Sequence, residues 1–363
     1  MARQHQRQLA TRAVHAGTAT TAGDFTPTAP PIHHSSTFRY ETMEELDAVF
    51  GGTRSGYVYS RFGNPTTAAF EEAVASLESA DSALAFASGM AALHAALLAS
   101  GARSGATVVA ARDIYGATQS LLNRIFGSQG VSTRFVDTGN LDEVRNACAE
   151  LGPVAIVVET ISNPLLRVAD LPRLAEIAHN TGATLLVDNT FASPYLVQPF
   201  KLGADMVIHS ATKYLGGHRD VLGGVVASST HGHDELLSVR KLTGANLGPQ
   251  EAWLALRGVR TLAVRMRQHC ENASHSHTGY QTTGGEPRDL PGIARPSATH
   301  SLGSVVRRAR LRRDDQLRAE RRRADRSIPV PRCSSALPAR HQSGRRPDIV
   351  ALSRPLLPPL AQS

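Results

Sequence analysis

The chain has 363 residues, 41% of them hydrophobic and 19% charged, enough for two globular domains with a sizeable core. Its formal charge of +8 sits at one end: residues 301–363 hold 15 arginines against five acidic residues, a net of +10, which leaves residues 1–300 at −2. A near-neutral body gives no footprint for nucleic acid. Three widely spaced cysteines form neither a metal motif nor a disulfide framework, and no apolar run approaches a membrane span, so the composition predicts a cytoplasmic protein without metal, membrane or nucleic-acid partner.

Residues 1–58 read as an N-terminal arm, because Pro27, Pro30 and Pro31 discourage helix and only Thr42–Phe50 has a short helical pattern. An arm with little core of its own suits docking on a neighbouring subunit, with a frayed terminus as the plainer alternative. In Tyr57-Val-Tyr-Ser-Arg-Phe-Gly-Asn-Pro-Thr66, Asn64 can cap and Pro65 can open a helix through Phe70, Val74 and Leu77, leaving Tyr59 and Arg61 just outside it. From Ala83 onward apolar runs alternate with helical patterns: 83–87 then 89–100, 107–111 then 117–126, 133–136 then 141–150, 154–158 then 171–180, and 183–187. This alternation predicts an α/β fold with a mainly parallel sheet covered by helices, whose ligand lies at the carboxyl ends of the strands.

The candidate functional residues fall at those ends. Ser88, Gly89 and Met90 open a helix, where free N–H groups and the helix dipole favour an anion. Tyr115 follows the next strand, and its ring suits either stacking on a planar cofactor or ordinary packing. Asp188 closes an apolar run, a costly place for a carboxylate unless it is paired with a donor such as a pyridinium N–H or caps a turn. In Asp205-Met-Val-Ile-His-Ser-Ala-Thr-Lys-Tyr-Leu-Gly-Gly-His-Arg-Asp220 a strand ends in Lys213, bracketed by the hydroxyls of Ser210 and Thr212 and followed by Gly216 and Gly217. Partial desolvation there would favour an uncharged, nucleophilic amine, with hydroxyls placed for a phosphate; a surface lysine on a turn is the plainer alternative. Neither a dinucleotide-binding glycine fingerprint nor a Walker sequence is present, and no His/Cys spacing fits zinc.

These segments resemble the signature of the Cys/Met-metabolism family of pyridoxal 5'-phosphate (PLP) enzymes, which includes cystathionine gamma-synthase, the cystathionine lyases, methionine gamma-lyase and the homoserine sulfhydrylases. Thr11-Arg-Ala-Val-His-Ala-Gly17 matches the family's opening, as do Pro31-Ile32, Ser35, Thr37 and Phe38. Leu256-Arg-Gly-Val-Arg-Thr-Leu262 through Arg265-Met266, His269 and Asn272-Ala273 extends the resemblance, which covers about 9–273. Arg219 departs from the small residue usual after Gly-His.

The resemblance implies a fold-type I, aspartate-aminotransferase-like PLP-binding large domain over 59–255 and the first linker helix of a small domain over 256–273. It implies self-association as a dimer with shared active sites, and a homotetramer built as a dimer of dimers. Lys213 would carry PLP and then shuttle protons, Tyr115 would stack on the ring, and Tyr59 would assist deprotonation. Ser88, Gly89, Met90, Ser210 and Thr212 would hold the phosphate, joined by Tyr59 and Arg61 from the other subunit. Asn163 would contact the phenolic oxygen and Asp188 the ring nitrogen. The implied activity is trans-sulfuration of an amino-acid substrate at the γ-carbon of homoserine esters or sulfur amino acids, of the cystathionine gamma-synthase type, with the family's lyases and sulfhydrylases as alternatives. Ala117, matching a position typically cysteine in methionine gamma-lyases, weighs against that activity.

After about residue 273 the resemblance ends, and 274–363 is rich in Arg, Pro and Ser without periodicity, a composition that predicts disorder. A natural basic tail is one explanation, and a shift of one base forward is the preferred one. With allowed codons Arg310 to Glu320 becomes Gly-Phe-Gly-Gly-Met-Ile-Ser-Phe-Glu-Leu, similar to a segment of the family's small domain. Pro287 to Ala298 and Arg340 to Pro347 also yield family-like segments, in the correct order. A chain translated this way lacks the arginine that in the family grips the substrate carboxylate, so a non-catalytic remnant is the rival reading.

Overall fold

A computed structural model describes residues 8–18 and 27–282. Of the tail over 274–363, residues 274–282 are helical where composition predicts disorder, and 283–363, with the frame-shift segments, lies outside the described residues. The chain begins with α1 (Leu9–His15), α2 (Met43–Phe50), α3 (Pro65–Glu78), β1 (Ser82–Phe86), α4 (Gly89–Ala99) and β2 (Thr107–Ala111). Next come α5 (Gly116–Ser120), which runs on as a wider turn over Leu121–Phe126, then β3 (Ser132–Val136), α6 (Leu141–Leu151), β4 (Ala155–Glu159), α7 (Leu171–Asn180) and β5 (Thr184–Asp188). The short α8 (Ser193–Leu196) leads to β6 (Met206–Ser210), β7 (Gly224–Ser228), α9 (Thr230–Thr243), α10 (Pro249–Arg260) and α11 (Leu262–Thr282).

Local chemistry starts these helices where the sequence suggests. The Asn64 side chain accepts from Thr66 N–H ahead of Pro65, Thr42 accepts from Glu45 N–H, and Asn140 accepts from the N–H groups of Asp142 and Glu143. Left-handed residues at Ser79, Gly152 and Gly244 close α3, α6 and α9.

The strands form one seven-stranded sheet in the order β1-β7-β6-β5-β4-β2-β3. Five residues of β4 and five of β7 are buried without a break, as expected where helices cover both faces. The exposed and partly exposed positions of β3, with Arg134 among them, mark it as an edge. β7 is antiparallel to both β1 and β6, and the other six strands share one direction. Sequence alternation overlooks β7 because no helix separates it from β6. Without a crossover helix the chain turns back on itself, and the connection between the two strands is the segment that carries Lys213.

Part of the arm is fixed to its own chain. Helix α1 lies in this chain's own core: Ala13 and Ala16 are buried, and the Arg12 guanidinium donates to the Ser76 carbonyl at the end of α3. Gly17 has φ +72, and a side chain there would collide with the Ala69 carbonyl. Further on, Trp253 Nε1 donates to the Pro30 carbonyl (3.1 Å) and Asn64 Nδ2 to the His33 carbonyl (2.8 Å), so the arm's proline segment is tied to α10 and to the start of α3.

Candidate active site

The carboxyl ends of the six codirectional strands meet near the start of β7, and two glycines set how closely. Ser88 caps α4 by accepting from Ala91 N–H (3.1 Å), which leaves the Gly89 and Met90 N–H groups of the first turn without helical acceptors. A Cβ added to Gly89 would lie 2.8 Å from Ser210 Cβ, and one added to Gly224 would strike the Ser88 carbonyl. Only glycine lets the α4 terminus, β6 and β7 approach this closely. Backbone donors and the Ser210 hydroxyl thus converge beside a positive helix end, an arrangement suited to an anion.

From Ser210 a chain of hydrogen bonds leads to Asp188. Ser210 N–H donates to Thr190 Oγ1 (2.8 Å), and Thr190 N–H donates to Asp188 Oδ1 (2.9 Å). Burial raises the Asp188 carboxyl above the usual range, opposed by the Thr190 hydrogen bonds and the charge of His209. A carboxylate in this setting retains accepting capacity for a cationic N–H. Behind it, buried Glu78 Oε1 accepts from Asn189 Nδ2 (2.9 Å) and lies 2.7 Å from His209 Nε2, while Thr160 Oγ1 donates to Asn189 Oδ1 (2.8 Å).

Glu159, paired in register with Asp188, is not among the site residues that the sequence suggests, yet it joins two of them. Its Oε1 accepts from Tyr115 N–H (3.0 Å) and its Oε2 from Asn163 N–H (2.8 Å), tying together the loops after β2 and β4. Burial and then the neighbouring Asp188 raise its pKa to about 7, against the two backbone hydrogen bonds that lower it; Asp113 adds a smaller upward push. The available signal is its place as the last residue of an apolar strand, the pattern that singles out Asp188.

The other candidates fall as follows. The Tyr115 ring is exposed at the mouth of the strand ends. Thr212 Oγ1 donates to the Gly223 carbonyl (3.2 Å) and accepts from Gly223 N–H (3.1 Å), so its hydroxyl braces the loop, where the sequence suggested only a phosphate contact. Lys213 is exposed, whereas its strand-end position suggested partial desolvation. Arg61 donates to the Lys241 carbonyl and stacks on Tyr59 and Phe62 (5.5 and 4.8 Å), so within one chain both Arg61 and Tyr59 are engaged away from the Lys213 cluster. Arg219 has φ +63, a left-handed conformation that is costly for a residue with a Cβ. Among the described residues no group of His, Cys, Asp and Glu could hold a metal, and no helix is long and apolar enough to cross a membrane.

A mostly parallel sheet of this topology with a lysine beyond β6 and a carboxylate ending β5 defines a fold-type I PLP protein. The family described as Cys/Met metabolism PLP-dependent enzyme matches residues 10–277, and the chain belongs to it. It is 42% identical over 268 residues to the L-methionine gamma-lyase of Fusobacterium nucleatum subsp. nucleatum, covering 73% of this chain and 67% of that one. To the cystathionine gamma-lyase of Bacillus subtilis it is 44% identical over 244 residues, 67% and 62% of the two chains. The crystal structure of metB from Corynebacterium glutamicum superposes with a TM-score of 0.74 at 36% identity, covering 84% of this chain and 76% of that one. The chain thus spans about two thirds of the length of these curated relatives.

Proposed function

We propose that this protein is a trans-sulfuration enzyme of the cystathionine gamma-synthase type, acting through PLP on the γ-carbon of a homoserine ester or sulfur amino acid. The observation that supports it best is the contact of Gly89 with Ser210, which sets an anion-binding helix end one strand from an open carboxylate and one turn from a lysine. The Gly217 N–H to Lys213 carbonyl bond (2.8 Å) and the Lys213 N–H to Ser210 carbonyl bond (3.1 Å) close that turn. In this reading Ser88, Gly89, Met90, Ser210 and Thr212 line the phosphate side, Asp188 receives the ring N–H, Asn163 faces the phenolic oxygen, and Tyr115 covers the ring. PLP supplies an electron sink for carbanion chemistry. The chain's own groups would hold it in register, and the exposed Lys213 amine would take the proton from the substrate's α-carbon and then one from its β-carbon, so that the γ-substituent can leave. Arg61 and Tyr59 serve the site of a second subunit, and residues 59–255 form the cofactor domain. Ala117, just beyond Tyr115, favours synthase over methionine gamma-lyase because no thiol stands there.

Borohydride reduction of the PLP-loaded chain, followed by peptide mapping, tests the reading. Label is expected on Lys213 and lost in Lys213→Ala; label on Lys201 or Lys241 would overturn it. The type of reaction is read by comparing cystathionine formation from an O-acylhomoserine and cysteine with ammonia release from cystathionine or methionine. A second reading, cofactor binding without turnover, is favoured by the end of the family match at residue 277.

A further inference from the structure

Arg265 sits on α11, well outside the residues assigned above, yet its guanidinium is spent on the turn that carries Lys213. Nη1 donates to the Tyr214 carbonyl (2.8 Å), and Nη2 donates to the carbonyls of Gly258 (2.7 Å) and Leu215 (3.4 Å). Nε donates to Thr261 Oγ1 (2.9 Å), which fixes the side chain's own direction. Two glycines make room for this arrangement. Gly217 has φ +72, and a Cβ there would occupy the place of the guanidinium; a Cβ on Gly258 would come within 2.6 Å of the Leu215 carbonyl and closer still to that of Gly216. One turn along α11, His269 meets the Tyr214 ring edge-on at 5.5 Å. Helices α10 and α11 therefore close on both residues that follow the lysine.

We propose that Arg265 is a positioning residue for Lys213, fixing the Tyr214 and Leu215 carbonyls and so the turn from which the lysine amine projects. The proposal rests on the assignment of Lys213 as the cofactor lysine. A planar fork suits this task better than an ammonium, because its donors reach separate carbonyls at fixed angles while the long side chain stays extended. Besides the Lys213 N–H to Ser210 carbonyl bond, two bonds hold the Lys213 turn, from Gly216 N–H to the Ala211 carbonyl and from Gly217 N–H to the Lys213 carbonyl, both 2.8 Å. Both lie within reach of whatever loosens Tyr214 and Leu215. Because Arg265 binds the Tyr214 and Leu215 carbonyls, a displacement of α11 is transmitted through it to the lysine turn.

The test is amide hydrogen exchange on the full cofactor-free chain. In Arg265→Met, exchange at Gly216 and Gly217 is expected to rise about tenfold or more, while Leu186 and Val187 in β5 keep wild-type rates. Arg265→Lys should give an intermediate effect, and guanidinium ion at sub-denaturing concentration should restore protection in Arg265→Ala. Unchanged exchange at Gly216 and Gly217, or an equal rise throughout the sheet, would overturn the proposal. Should the Arg265 variants fail to fold, Gly258→Ala, which pushes on the Leu215 carbonyl that Arg265 holds and on that of Gly216, must raise exchange at the same two amides; no rise there counts against it equally. Borohydride mapping of the PLP-loaded wild type separates the two claims. Label on another lysine would remove the assignment of Lys213 while leaving the exchange result standing as a statement about the turn alone.

Discussion

Glu159 is the residue whose chemistry depends most on its surroundings. Its carboxyl is buried beside Asp188, and the folded pKa of about 7 lies above the ordinary value of 4.5. Below pH 4.5 the group is protonated whether folded or unfolded, so it carries no penalty. As the pH rises from there to 7 the unfolded chain releases a proton that the folded chain retains, and stability falls by on the order of 3 kcal/mol before levelling off. Glu159→Gln removes this titration. The stability of the cofactor-free wild type relative to Glu159→Gln, from urea unfolding, should therefore drop by about 3 kcal/mol between pH 4.5 and pH 8. Parallel pH profiles for the two proteins would show that the carboxyl does not titrate in this way. The same substitution leaves one of the Tyr115 and Asn163 N–H groups facing an amide NH2 in place of an acceptor.

At the scale of elements, the segment 57–64 is held by its own chain at both ends. Phe38 N–H donates to the Val58 carbonyl (2.9 Å), Ser60 N–H donates to the Ser36 carbonyl (2.8 Å), and Arg61 reaches the Lys241 carbonyl at the end of α9. This anchoring presents Tyr59 outward, at 39% exposure. The outward Tyr59 is the part of this segment free to serve a site shared between two subunits, and mixing decides it. Chains with Arg61→Ala combined with chains with Lys213→Ala should regain a fraction of PLP-bearing complete sites in heterodimers, read by cofactor fixation. Homodimers of either variant supply the baseline, and a mixture no better than that baseline would count against sharing.

For the whole molecule, the decisive contrast lies between the family-like residues 10–277 and the basic sequence that follows. A cofactor half without a preorganised substrate-carboxylate arginine loses a charge-assisted contact of about 1.5–3 kcal/mol, and with it the orientation that contact provides. The chain as translated is thus expected to bind PLP with little turnover, and a version with the reading frame restored near residues 272–280 is expected to gain activity by at least about tenfold. Equal turnover of the two would show that the arginine-rich tail is compatible with the complete reaction.

The sequence by itself determined the elements and the principal candidates. Caps such as Asn64 and Thr42, the strand alternation from β1 to β6, and the Ser210–Lys213 spacing depend on residues a few positions apart, so they are legible along the chain. Tertiary structure alone decided the reversed direction of β7, the burial of α1 against α3, the Glu159 bridge between two loops, and the grip of Arg265 on the lysine turn. The bonds behind these features join residues 4 to 146 positions apart, as Asn163 to Glu159 and Ser82 to Ser228 mark the extremes. Most of them form only once distant segments are brought together, and the free energy for that comes from burial of the common core, a quantity no local pattern encodes.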